Sequence, residues 1–226
     1  MNLFEREPMT VAPGAFFVPS WLSIEEQVTL LELCRQWGKP PAGFVVPRMA
    51  DGTPLSIKSL YLGWNWRPGQ HYTKFYDEQE QLSVKEFPAE LAQLAQRAYR
   101  HTFGGAGDSF APDAAIINWY DENATLGLHQ DKGEADGAIA RGSPVITVSL
   151  GDSALFRFGN TVTRGKPYRD VTLESGDLFV FGGPSRMAYH GIMKLHARTA
   201  PLALGPVRGR LSVTIRETGL AALKPS

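Results

Sequence analysis

Cysteine is almost missing from this chain: Cys34 is the only one in 226 residues. A lone thiol cannot close an intramolecular disulfide, so a cross-linked secreted scaffold is excluded and a reducing compartment fits. An excess of one charge is missing too, with 23 Lys+Arg against 23 Asp+Glu. No global positive field advertises nucleic acid, and any polyanion site has to be a local basic patch. The chain has no apolar run of about 18 residues or more, which removes a membrane-spanning helix. Nor does a charged start lead into an apolar stretch of the signal-peptide kind. The expected location is therefore cytoplasmic, with no membrane partner. Internal repeats and low-complexity tracts are also missing. What remains is an ordinary composition, 43% hydrophobic, in a chain long enough for one generous domain spanning 1–226.

The first half reads as helix and the second as strand. Ser23-Ile-Glu-Glu26 is a capping box, followed by Ile24, Val28, Leu31 and Cys34 at helical spacing until Gly38 and Pro40-Pro41. A second helix is predicted from Pro88, with Leu91, Leu94, Ala95, Ala98 and Tyr99 on one face and Gly104-Gly105 as its stop. From about Asp113 short β-type runs take over: 114–120, 145–150, 154–158, 168–173, 178–181 and 211–215. Two helices before a block of short strands predict an α+β, mainly β fold. The expected architecture is a β-sandwich or jelly roll core at 111–217, with the helices of 1–110 supporting one side.

Within that block His129-Gln130-Asp131 places an imidazole and a carboxylate two residues apart, on one face of an extended strand. An isolated His190 adds a second imidazole. Two imidazoles and one carboxylate make the facial triad of non-haem Fe(II) oxygenases, which leaves coordination positions open for O2 and a chelating co-substrate. A lone His in a β protein is more often a surface or hydrogen-bonded core residue, and His71, His101 and His196 take that reading.

Downstream, Arg210, Ser212, Thr214 and Arg216 share one strand face, with Leu211, Val213 and Ile215 on the other. Such alternation also describes a sheet with one solvated face. Against that, the polar face carries no acid and no lysine, and an arginine fork grips carboxylates bidentately. A strand of this length separates the two arginines by roughly 20 Å, so they are expected to lean toward opposite ends of a small diacid.

Read together, Asn118-Trp-Tyr120, Leu128-His-Gln-Asp-Lys132, Val148-Ser-Leu-Gly151, Phe156-Arg-Phe-Gly159, Ser175-Gly-Asp177, Tyr189-His-Gly191 and Arg210-x-Ser-x-Thr-x-Arg216 resemble the AlkB family of Fe(II)/2-oxoglutarate-dependent dioxygenases. The resemblance runs over residues 55–217. It implies a double-stranded β-helix, with metal ligands at His129, Asp131 and His190 and 2-oxoglutarate contacts at Asn118, Tyr120, Arg210 and Arg216. Two positions depart from the family pattern. Ser212 stands where the family has Asn, and its hydroxyl still donates one hydrogen bond. Gly133 stands where the best-known bacterial member has an acid that contacts the target base, which leaves the neighbouring Glu134 as its replacement.

Residues 43–77 combine Arg48, Lys58, Arg67 and Lys74 with seven aromatics, against only Asp51 and Asp77. Cations for phosphate and rings for bases fit a reader of single strands or flipped bases. A hairpin whose aromatics simply cover the jelly roll has the same composition. By the resemblance this segment is a substrate lid, with Trp64 on one face of a flipped base and His129 on the other, and Trp66 extending the platform. His71 or Tyr72 is then expected at a phosphate, and Arg164 near the nucleic-acid backbone. The implied activity is oxidative demethylation of N-alkylated bases (1-methyladenine or 3-methylcytosine type) in single- or double-stranded DNA, RNA or tRNA. Fe(II), O2 and 2-oxoglutarate would be consumed or held, and formaldehyde, succinate and CO2 released, by a monomer. The alternatives are a hydroxylase of the same chemistry acting on a protein side chain or small metabolite, and a jelly-roll binding module without turnover.

Overall fold

The computed structural model describes residues 6–67, 72–77, 82–105 and 110–220. Strands β1 (Met9–Ala12) and β2 (Ala15–Val18) form a hairpin that leads into helix α1 (Ile24–Trp37). Next come β3 (Lys58–Leu62), the short pair β4 (Phe75–Asp77) and β5 (Leu82–Ser83), and helix α2 (Ala89–Phe103). Then follow β6 (Ala114–Tyr120), β7 (Leu126–His129), the short helix α3 (Asp136–Ala140), β8 (Val145–Gly151) and β9 (Ser153–Phe158). The last four strands are β10 (Arg169–Leu173), β11 (Leu178–Phe181), β12 (His190–His196) and β13 (Arg210–Arg216).

Both helices begin and end where the residue chemistry dictates. Ser23 Oγ accepts from the Glu26 amide at 3.3 Å, and the Glu26 carboxylate accepts from the Ser23 amide at 2.9 Å, closing the capping box. Helix α2 buries Leu91, Ala95 and Ala98, one helical stripe. Gly104 then turns left-handed at φ 78° and returns its N–H to the Arg100 carbonyl.

The strands build two antiparallel sheets, β1-β2-β11-β8-β13-β6-β3 and β10-β9-β12-β7. This is the jelly roll expected from the run of short strands. Leu30, Leu31, Cys34, Leu91 and Ala95 press against Ile117, Ile146, Val148, Val213 and Ile215, so the helices cover the outer face of the large sheet. Between the sheets lies a second core, rich in phenylalanine: Phe156, Phe158, Phe179 and Phe181. Every residue of β13 is buried, because it is flanked by β8 and β6 and covered on both faces. Its alternation therefore separates two buried environments rather than core from solvent.

Three features depart from expectation. Residues 58–62 pair with β6 as the edge of the large sheet, and Leu60, Tyr61 and Leu62 are fully buried. Much of the aromatic segment is thus core, including Tyr72 and the ring of Phe44, as a covering hairpin would have it. Asp131 lies beyond the end of β7, so the His-x-Asp motif straddles a strand end instead of sitting on one. Finally, β12 and β7 run side by side with His190 directly opposite His129 and a register irregularity just after it. Among the described residues no helix is long and apolar enough to cross a membrane.

Candidate active site

The pairing of β7 with β12 brings together two histidines separated by sixty intervening residues, their rings 4.5 Å apart between centroids. The close approach explains Gly191: a Cβ there would meet the Leu126 carbonyl at 2.4 Å. Asp131 closes the group, with Oδ1 at 3.7 Å from His129 Nε2 and Oδ2 at 3.7 Å from His190 Nε2. One ligand atom from each of the three lies within 4.8 Å of the others.

Each imidazole is oriented by its own backbone. Nδ1 of His129 lies 2.9 Å from the Gly127 carbonyl, and Nδ1 of His190 lies 3.0 Å from the Ala188 carbonyl. A carbonyl only accepts, so each Nδ1 carries a proton and both Nε2 atoms face the carboxylate. Burial first, and then repulsion from His129, pushes His190 down to about 4, which keeps this imidazole neutral and ready to ligate. Burial alone would raise Asp131. Arg216 above all, then His190, His129 and Arg186, hold its carboxylate well below the usual range. Two imidazoles whose Nε2 atoms converge on an ionised carboxylate fit a divalent cation such as Fe(II).

The carboxylate is braced from behind. Arg216 Nη2 stands 2.8 Å from Asp131 Oδ2, while its Nη1 donates to Glu134 Oε1 at 3.1 Å and to the Tyr72 hydroxyl at 3.2 Å. Arg186 donates to the Asp131 backbone carbonyl at 2.6 Å and pairs with Glu134 Oε2 at 2.9 Å. Glu134, expected at the target base, is therefore 4% exposed and committed to two guanidiniums. Tyr72, expected at a phosphate, is likewise buried with its hydroxyl in the same network. Arg216, expected at one end of a diacid, lines the cavity but spends most of its donors on Asp131, Glu134 and Tyr72. His71 lies outside the described residues.

Arg210 has the opposite character. It is fully buried at the head of β13, and Nη2 donates to Ser149 Oγ at 2.9 Å. Among the described residues Nε and Nη1 have no acceptor. Burial pulls its pKa below the ordinary guanidinium value, yet an arginine stays charged in a protein. A dry cation with two open N–H groups facing the histidines' cavity calls for a carboxylate. Asn118, Tyr120, Ser212 and Thr214 line the same cavity, and Ser59 Oγ donates to Asn118 Oδ1 at 2.6 Å. The donor set thus fits both groups of an Fe(II)/2-oxoglutarate centre: a cation at the triad and a distal carboxylate at Arg210.

The comparisons with known proteins agree with that donor set. The sequence family described as the 2OG-Fe(II) oxygenase superfamily matches residues 14–216. The alpha-ketoglutarate-dependent dioxygenase AlkB homolog of Caulobacter vibrioides is 33% identical over 95% of this chain and 92% of its own length. The chain belongs to the AlkB family. A solved structure of the AlkB relative OsALKBH1 superimposes with a TM-score of 0.81 at 30% identity, covering 92% of this chain and all of that one. The Arabidopsis thaliana relative named DNA N(6)-methyladenine demethylase ALKBH1D is 35% identical over 91% of this chain but only 50% of its own length. The chain thus spans about half the length of that plant AlkB relative.

The remaining expected substrate residues divide. Arg164 is exposed on the loop after β9, its Nε donating to the Leu128 carbonyl at 3.0 Å and its guanidinium over the Tyr189 ring. It therefore stands beside the residues that precede both histidines. The Trp64 indole donates to Asp113 Oδ2 at 3.1 Å and carries the Lys74 ammonium 3.8 Å above its ring, and it does not line the cavity. Trp66 lies against Gly133: a Cβ there would meet the indole at 2.8 Å. No left-handed backbone demands this glycine, so Trp66 fills the space its side chain would occupy. The sequence reading gave no role to Arg186 or to Ser149. A buried arginine looks like a surface one in text, whereas the small polar Thr147, which lines the cavity, and Ser149, which holds Arg210, stand out within apolar β8 and were readable as a polar wall.

Proposed function

We propose that the protein removes N-linked alkyl groups from nucleobases, using Fe(II), O2 and 2-oxoglutarate. The observation that carries the reading is the pairing of the convergent His129–Asp131–His190 group with a buried arginine that has two open N–H groups in the same cavity. When bound, iron and co-substrate together supply the oxidising power: one O2 and one 2-oxoglutarate yield succinate and CO2, and the N-methyl carbon leaves as formaldehyde. The chain itself orients and insulates. Arg210 fixes the far carboxylate, and the Nδ1 hydrogen bonds aim both imidazoles. Arg216 and Arg186 hold Asp131 ionised, and the phenylalanine core around His190 keeps water out. Outside the cavity, Arg164 offers a cation to a nucleic-acid backbone, and Trp66 offers a ring packed against Gly133, which follows Asp131 by two positions.

A nucleic-acid substrate is supported by the relatives' names, which include demethylases of DNA N(6)-methyladenine. Burial of Glu134 and replacement of the neighbouring acid by Gly133 leave no carboxylate for base recognition there, which favours a base read by ring contacts. The test is formaldehyde release from oligonucleotides carrying 1-methyladenine, 3-methylcytosine or N6-methyladenine, in DNA and RNA, single and double stranded. His129→Ala serves as the inactive control. Turnover of one of these substrates supports the proposal. Succinate formation with no oligonucleotide as substrate would move the activity to a protein side chain or small metabolite. If no succinate forms at all, the chain is a binding module.

A further inference from the structure

A second cavity, of about 350 Å³, lies between α1 and the outer face of the large sheet. That volume is within the roughly 300–1,000 Å³ of small-molecule sites. Leu31, Phe44 and Leu211 floor it, and Trp119 forms a wall. Arg35, Lys58 and Arg208 rim it, and among the described residues no acid lines it. Arg35 shares Glu32 at 3.5 Å, but Lys58 and Arg208 form no ion pair among the described residues. The Lys58 ammonium sits 5.0 Å from the Trp119 ring, and the Trp119 indole donates to the Arg208 carbonyl at 3.1 Å. An apolar slot with an aromatic wall and two cations on its rim, Lys58 and Arg208, unpaired among the described residues, complements one kind of occupant: a flat apolar body with an anionic end.

Its position is as informative as its lining. Lys58, Trp119 and Leu211 are neighbours in a row across β3, β6 and β13. On the last two strands the alternate residues, Asn118 and Tyr120 on β6 and Arg210 and Ser212 on β13, face the co-substrate cavity. The two cavities therefore share a wall one sheet thick.

We propose that the outer cavity is a second ligand site for a small planar aromatic anion. The ring lies on Trp119 and the apolar floor, and the carboxylate or phosphate meets Lys58 and Arg208. The site is independent of the nucleobase reading.

Calorimetric titration of the metal-loaded protein saturated with 2-oxoglutarate tests it, because the co-substrate then blocks Arg210. The probes are naphthalene-2-carboxylate, naphthalene-2-methanol, butanoate and adenosine 5′-monophosphate. One equivalent of naphthalene-2-carboxylate is expected to bind, about tenfold more tightly than the neutral alcohol or butanoate. The exposed double variant Lys58→Gln, Arg208→Gln is expected to bring the acid down to the alcohol's affinity while leaving the melting temperature unchanged. Val207→Trp, which fills the slot from a loop, is expected to abolish binding of both naphthalenes. Adenosine 5′-monophosphate binding that is lost in the same variants identifies nucleotides as the source of the anion. The proposal is overturned if acid and alcohol bind alike, or if the variants leave acid binding intact. It is also overturned if the double variant loses only oligonucleotide affinity, which would assign the cations to a strand.

Discussion

Two arginines on one face of one strand have opposite duties, and the difference lies in what already neutralises them. Arg216 faces Asp131 and Glu134, while Arg210 faces a hydroxyl and two unmet N–H positions. Arg210→Ala is expected to raise the KM for 2-oxoglutarate about 10- to 100-fold, the worth of a charge-assisted fork. The oligonucleotide KM should hardly move, and steady-state kinetics with each substrate varied in turn reads the split. Arg186→Ala leaves Glu134 buried with one partner fewer. A destabilisation of about 3–5 kcal/mol is expected by urea unfolding, because an uncompensated charge remains inside. If the midpoint holds, the brace carries no strain-bearing charge. At this scale the triad and Arg210 were legible through the ordered family motifs around them, since each pattern alone also suits a surface or core residue. It did not show Glu134, Tyr72 or Arg216 as one buried network, because pairing over sixty or more residues leaves no local trace.

Elements decide whether those residues meet. Edge strand β7 holds only four residues, and its tight seating on β12 depends on Gly191 having no side chain. Beyond the strand end, Gly133 gives up its side-chain space to Trp66. Gly133→Ala is expected to cost about 1–3 kcal/mol by overpacking. Trp66→Leu in the same chain should recover most of that loss, a coupling that a double-mutant cycle measures. Strictly additive losses would mean that the two do not touch. The capping box of α1 and the left-handed stop of α2 were legible because caps are local chemistry. Strand β3 was not: Lys58–Leu62 sits inside a basic and aromatic stretch whose composition suits a lid as well as a sheet edge.

For the whole molecule the jelly roll was readable from strand rhythm, and the phenylalanine layer against which His190 packs was readable only as generic core. Several buried acids of high pKa set an alkaline limit. Burial pushes the Cys34 thiol from 9.0 up to about 12 and raises the Tyr61 and Tyr72 phenols above their ordinary value. The unfolded chain loses these protons first, so stability is intact below about pH 9 and falls as pH climbs toward 12. Urea midpoints at pH 8 and 10.5 check the sign, and Cys34→Ala should flatten the slope. Divalent metal acts on the same fold. Its three candidate ligands come from the tail of an outermost strand, the loop beyond it and a strand much later in the chain. Adding Mn(II) at about a hundred times its dissociation constant should stabilise by about 2.7 kcal/mol, a rise in melting temperature that a chelator reverses. An ion seated there would work as a rivet between an edge strand, the loop beyond it and a later strand, so stripping it is expected to slacken the protein as well as end the proposed turnover.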